Sequence, residues 1–120
     1  MSAEKKYSWH KIAESADDFF WQENNLCEIE VKGKKICIAK KGEDVLACAS
    51  KCPHAGGYLS DGFMDAAGNI VCPLHRYRYD LQNGRNVSGE GYYLRTYPVE
   101  KRADGIYLGI EEAGFLGFFK

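Results

Sequence analysis

Polar and apolar residues alternate along much of this chain with the period of a strand rather than of a helix. Cys27, Ile29 and Val31 alternate with Glu28, Glu30 and Lys32, the pattern of a strand with one wet face. Gly33 marks a turn, residues 36–39 predict a second strand, and the polar run 40–44 turns into a third over 45–49. Further on, Ile70 and Val71 lead into Cys72 as a short strand. Tyr77, Tyr79 and Leu81 then alternate with Arg76, Arg78 and Asp80, and Asn83-Gly84 is a hairpin-turn signal. Residues 88–91 read as a flexible loop, and 94–99 with 106–110 read as a closing hairpin around a charged turn at 102–105. Residues 1–25 read as a lead-in anchored by Tyr7, Trp9, Ile12, Phe19, Phe20 and Trp21, with a turn or short helical start at 15–18. Short strands with a turn every eight to twelve residues, roughly, predict an all-β fold: an antiparallel sandwich or barrel.

Length and charge narrow this further. A chain of 120 residues predicts a single domain, 1–120, with no internal repeat or linker. A net charge of −1 gives no electrostatic case for nucleic acid or an acidic membrane surface. The start, MSAEKKYSWHK, lacks the apolar core of a signal peptide, and no run approaches a membrane span, so a cytoplasmic protein is expected. Of the 5 cysteines, Cys27, Cys37 and Cys48 are expected to be free thiols; Cys37 and Cys48 lie in strand-like runs, where a thiol packs as a small apolar group. His10 reads as a surface or hydrogen-bonded histidine.

The candidate chemistry sits in two loops. CPHAGGYLSDG carries Cys52 and His54; CPLHRYRYDLQNG carries Cys72 and His75. Each supplies one thiolate and one imidazole, and 17 residues separate His54 from Cys72. Two sulfur and two nitrogen ligands suit an iron–sulfur centre or a zinc site. Zinc sites more often show C-x-x-C with H-x(3–5)-H spacing. Neither Ser/His/Asp set, phosphate-binding Gly loop nor carboxylate pair is visible, so an enzyme is not expected.

These loops, with Pro after each Cys, Gly-Gly after His54, LSDG, and YD after the second loop, resemble the Rieske family signature. The resemblance implies one [2Fe–2S] cluster per chain, with Cys52 and Cys72 on one iron and His54 and His75 on the other. It implies a Rieske-type β sandwich or barrel with a small cluster-binding subdomain inserted at about 51–84. High-potential members tie their two loops with a disulfide at positions that are Gly57 and Leu74 here, so that bridge cannot form. They also carry a Ser bonded to a bridging sulfide where this chain has Tyr77, and a Tyr bonded to a cysteine sulfur, matched by Tyr79. The missing Ser predicts a potential at the low end of the family's span of roughly −150 to +300 mV.

The implied function is one-electron carriage from a flavoprotein reductase to an oxygenase or another reductase subunit. Two relatives fit this length: the ferredoxin of ring-hydroxylating dioxygenases and the small subunit of assimilatory nitrite reductase. A zinc-stabilised binding module is the alternative of another class. Arg76 and Arg78 read either as a docking rim for an acidic partner or as the wet face of a strand. The tail's Phe115, Leu116, Phe118 and Phe119 are expected to pack on the domain, or to form a docking patch.

Overall fold

The computed structural model describes residues 6–53, 56–74, 76–89 and 91–112. The apolar tail residues Phe115, Leu116, Phe118 and Phe119 lie outside them, as do His54 and His75. In chain order the strands are β1 (Tyr7–Ala13), β2 (Leu26–Val31), β3 (Lys34–Lys41), β4 (Asp44–Ala49), β5 (Phe63–Met64), β6 (Asn69–Val71), β7 (Arg78–Asp80), β8 (Thr96–Tyr97), β9 (Val99–Arg102) and β10 (Gly105–Glu111). They form three antiparallel sheets, ordered β1-β10-β9, β2-β3-β4-β8 and β5-β6-β7. Among the described residues there is no α-helix, and no helix long and apolar enough to cross a membrane.

The four-stranded sheet is the middle layer, and β3 shows why. Ile36 and Ile38 point to one face, Cys37 and Ala39 to the other, and all four are fully buried. Beneath Ile36 and Ile38 lie Ile106, Leu108 and Ile110 of β10, with Phe19. On the opposite face Cys37, Ala39 and Cys48 pack against Cys52, Leu59, Ile70, Cys72, Tyr79 and Leu81. One strand therefore feeds two cores, each large side chain contributing about 1.5–3 kcal/mol on burial. The second core is the floor of the candidate site.

Two segments differ from the sequence expectation. The lead-in contains a full strand: β1 pairs along β10 from Tyr7 opposite Glu111 to Ala13 opposite Ile106. The expected turn follows it as a 3-10 turn at Ala16–Asp18, where the Ser15 hydroxyl accepts from Asp17 N–H and the Asp18 carboxylate accepts from Ser15 N–H. The closing hairpin is also shorter than 94–99 implied. Thr96 and Tyr97 pair with β4 in the middle sheet, whereas β9 begins at Val99 beside β10. Pro98 lies at the switch; it has no N–H to give either ladder, and its carbonyl accepts from Gly109 N–H at 2.9 Å.

The loop between β1 and β2 clamps the segment before β5 onto the body. Asn24 Nδ2 donates to the carbonyls of Ser60 and Gly62, both at 2.9 Å, while its Oδ1 accepts from Leu26 N–H at 3.1 Å. Gln22 Nε2 adds a bond to Ser60 O at 2.7 Å.

Candidate metal centre

The two predicted ligand loops share one backbone design. The first is closed by the antiparallel bridge Lys51–Tyr58, the second by Val71–Arg78 of β6 and β7. Cys52 N–H donates to Gly57 O at 2.8 Å, and Gly56 N–H returns to Cys52 O at 2.9 Å. Cys72 N–H donates to Tyr77 O at 2.9 Å, and Arg76 N–H returns to Cys72 O at 3.1 Å. The fourth residue after each Cys takes a left-handed conformation, Gly56 at φ 74° and Arg76 at φ 60°. Such a turn is natural for Gly and costs a side-chain-bearing residue about 1–2 kcal/mol. The sequence shows no repeat here beyond Cys-Pro; the repetition is in the backbone hydrogen bonds. In the sequence His54 follows Cys52 by two residues and His75 follows Cys72 by three.

The loops touch where the disulfide of high-potential relatives would stand. A Cβ on Gly57 would lie 2.9 Å from Leu74 Cγ and 3.5 Å from Cys72 Sγ. Glycine is thus what lets the first loop close onto the second, and the Leu74 side chain takes the place of a covalent tie.

Both Cys52 and Cys72 are buried. Tyr79, fully buried on β7, brings its hydroxyl to 3.3 Å from Cys52 Sγ, the contact expected from the resemblance. Burial first, and the bond to Cys52 second, push the Tyr79 phenol far above its ordinary range, so it stays protonated and donates towards an ionised sulfur. Two buried thiols, one phenol donor and a side-chain-free wall beside Cys72 suit a compact metal centre that the chain itself ligates through thiolate sulfur. When bound, an iron–sulfur cluster supplies reversible one-electron storage.

Arg78 is not a free rim cation. Its Nη1 lies 2.8 Å from Asp65 Oδ2, and its backbone N–H donates to Ser88 Oγ at 3.0 Å. Burial pushes the Asp65 carboxyl up, but bonds from Asn69, Arg78 and Ala67 outweigh it and hold it below the usual carboxylate range. Asp65 thereby braces the turn before β6 against β7, a role signalled in sequence only by the Asp-x-x-Gly-Asn spacing. Arg76 is exposed.

The remaining cysteines lie outside these loops, with Cys37 and Cys48 in the core beneath them. Cys37 and Cys48 face each other across β3 and β4, fully buried, and Cys27 lies on β2. None of the three is in a disulfide. His10 is hydrogen-bonded, its Nε2 3.0 Å from Ser8 Oγ.

A family model for the Rieske [2Fe-2S] domain matches residues 8–98. The chain belongs to the Rieske family. As such it holds one [2Fe–2S] cluster rather than zinc, and is an electron carrier rather than an enzyme. The Rieske chain is 30% identical over 89 residues, 73% of its length and 85% of the relative's, to the ferredoxin component of a naphthalene 1,2-dioxygenase system from Pseudomonas aeruginosa. In fold it resembles the ferredoxin of carbazole 1,9a-dioxygenase from Nocardioides aromaticivorans IC177, with a TM-score of 0.69 at 24% identity, covering 84% of this chain and 96% of that one. It likewise resembles a protein described as the small subunit of an NADH-dependent nitrite reductase from Mycobacterium tuberculosis, with a TM-score of 0.74 at 16% identity, covering 88% and 96%. At these identities the structural likenesses speak to the fold alone.

Proposed function

We propose that Cys52 and Cys72 hold one iron of the cluster and His54 and His75 the other, and that the whole chain, 1–120, is one Rieske domain with its cluster module at about 51–84. The observation that carries this is the matched pair of turns, each with a buried cysteine at the same backbone position. On this reading the protein is a cytoplasmic one-electron carrier. It takes electrons from a flavoprotein reductase and gives them to the oxygenase of a dioxygenase system, as befits a chain whose curated relatives are ferredoxin components. Exposed Arg76, next to His75, and exposed Lys51, next to Cys52, put positive charge beside the ligands, which favours partners with an acidic docking face.

The test is ligation first, traffic second. His54→Ala and His75→Ala are each expected to abolish the Rieske electron-resonance signal of the dithionite-reduced protein. Native protein should contain two iron and two sulfide per chain, as the [2Fe–2S] formula requires. Retention of the native signal by either variant contradicts the ligand set. Failure of the intact protein to cycle between a flavoprotein reductase and a dioxygenase oxygenase contradicts the partner assignment and leaves the ligation standing.

A further inference from the structure

Among the described residues, the one buried side-chain nitrogen or oxygen without a hydrogen-bond partner is Asn86 Nδ2. Asn86 is only 5% exposed. Its amide orientation is fixed by its other end, because Oδ1 accepts from Ser88 N–H at 2.8 Å; a flipped amide would set an N–H against an N–H. Amide N–H donors buried without an acceptor carry a desolvation penalty that proteins rarely keep without a reason.

The position of Asn86 supplies one. It forms an antiparallel bridge with Tyr79. The neighbouring backbone is tied to the same strand, Val87 N–H donating to Arg78 O at 2.9 Å and Arg78 N–H to Ser88 Oγ at 3.0 Å. Residues directly opposite across an antiparallel pair project to the same face, their Cβ atoms about 4.5–5.5 Å apart. The Asn86 amide therefore shares the face on which the Tyr79 ring runs to Cys52 Sγ. That face belongs to the buried floor of the metal centre, whose members include Cys52, Cys72, Leu81 and Leu94. The only side-chain oxygens packed there are the hydroxyls of Tyr77 and Tyr79, and the amide nitrogen bonds neither of them, nor Cys52 Sγ or Cys72 Sγ; the acceptors left for it on that floor are the sulfides of a bound cluster.

We propose that Asn86 is a hydrogen-bond donor to the sulfur of the [2Fe–2S] centre, acting beside Tyr79 to set its reduction potential. The proposal rests on the ligation given above. With two thiolates and two neutral imidazoles, the oxidised centre is neutral and its one-electron reduced form is an anion. A donor aimed at sulfur stabilises the anion more and raises the midpoint potential. In this chain, which has Tyr77 where high-potential members have Ser, Asn86 restores part of the missing donation from the opposite strand.

Asn86→Leu keeps the size of the side chain and removes the N–H. Expected is a variant with unchanged iron and sulfide content whose reduction equilibrium is weakened roughly tenfold, a midpoint about 59 mV more negative for a one-electron couple. A second readout uses the unaltered protein with 15N confined to asparagine side-chain amides. Its reduced centre is expected to show a weak 15N coupling by pulsed electron resonance, a signature that a role in holding the loop alone would not produce. An unchanged midpoint in a fully loaded variant overturns the proposal, and so does absence of the 15N coupling in native protein, whether or not the variant folds. Absence of iron and sulfide from the native protein would instead overturn the ligation on which the proposal rests.

Discussion

Cys52 illustrates how little of a site a proposed ligand specifies alone. Its thiol is buried, its N–H and C=O close the turn, and the Tyr79 hydroxyl stands 3.3 Å from its sulfur. Replacing Tyr79 by Phe removes that donor and almost nothing else. The sign follows from charge: the donor favours the electron-rich state, so losing it lowers the midpoint. A hydrogen bond is worth roughly 0.5–1.5 kcal/mol and tenfold in a one-electron equilibrium is 59 mV, so Tyr79→Phe is expected to shift the potential about 20–65 mV negative, measured by redox titration. An upward shift would show that the hydroxyl does not donate to sulfur. Tyr79 could be picked out in the sequence because it lies at a fixed distance from His75 in a recognisable motif. Asn86 could not, and Asp65 only as a turn residue from its Asp-x-x-Gly-Asn spacing: Arg78, which Asp65 pairs with, and Tyr79, which bridges to Asn86, come from a strand paired only in three dimensions.

At the level of elements, the strands with clear alternation were legible, and β2, β3 and β4 fall within a residue or two of their expected positions. β1 was not, because its period-two set stops after Tyr7 and Trp9: Lys11 takes the next position and the register shifts between Lys11 and Ala13; its partner β10 completes the pattern from the far end of the chain. The switch at Pro98 was hidden for a similar reason: 94–99 is strand-like throughout, and only the sheet each half joins divides it. The contact between the two ligand turns can be tested directly. Leu74 Cγ lies 2.9 Å from where a Gly57 Cβ would be, close to the span from a Cβ to the partner sulfur across a disulfide. The double variant Gly57→Cys with Leu74→Cys is therefore expected to close a disulfide on mild oxidation, read as the loss of two thiols by mass spectrometry. Two titratable free thiols remaining in the folded, loaded protein would show that the turns do not meet this way. The clamp from the β1–β2 loop makes a second case. Asn24→Ala strips a donor from the carbonyls of Ser60 and Gly62 and the acceptor from Leu26 N–H. An expected cost of about 1–3 kcal/mol corresponds to a melting point lower by about 4 °C or more for a domain of this size. Calorimetry giving an unchanged melting point would mean that the module is not held by this clamp.

The whole molecule is a sheet with a core on each side, and the sequence hinted at this only through β3, whose apolar run lacks polar alternation. The assignment of Cys27, Cys37 and Cys48 as packing thiols follows from that architecture and can be checked by their order of reaction. Cys37 and Cys48 sit on the two inner strands, fully buried, and face the metal-centre core. A hydrogen bond that the protonated Cys48 thiol gives to Cys37, and then burial, raise the Cys48 thiol well above its ordinary range. Cys27 lies on the edge strand β2, 5% exposed, facing the other core; burial first and Cys37 second push its thiol up to about 11. At pH 8 only about a thousandth of such a thiol is ionised, and the thiolate is the reactive form. Iodoacetamide at pH 8 is thus expected to leave all three unmodified in native, loaded protein over the time that alkylates them completely in urea. On prolonged exposure the edge strand should open before the inner pair, because its sheet bonds lie on one side only, so Cys27 should label first and Cys37 with Cys48 later and together. Labelling of Cys37 or Cys48 ahead of Cys27, followed by peptide mapping, would mean that the layer between the cores opens from the metal-centre side, and that the cluster rather than the sheet is what keeps that side closed.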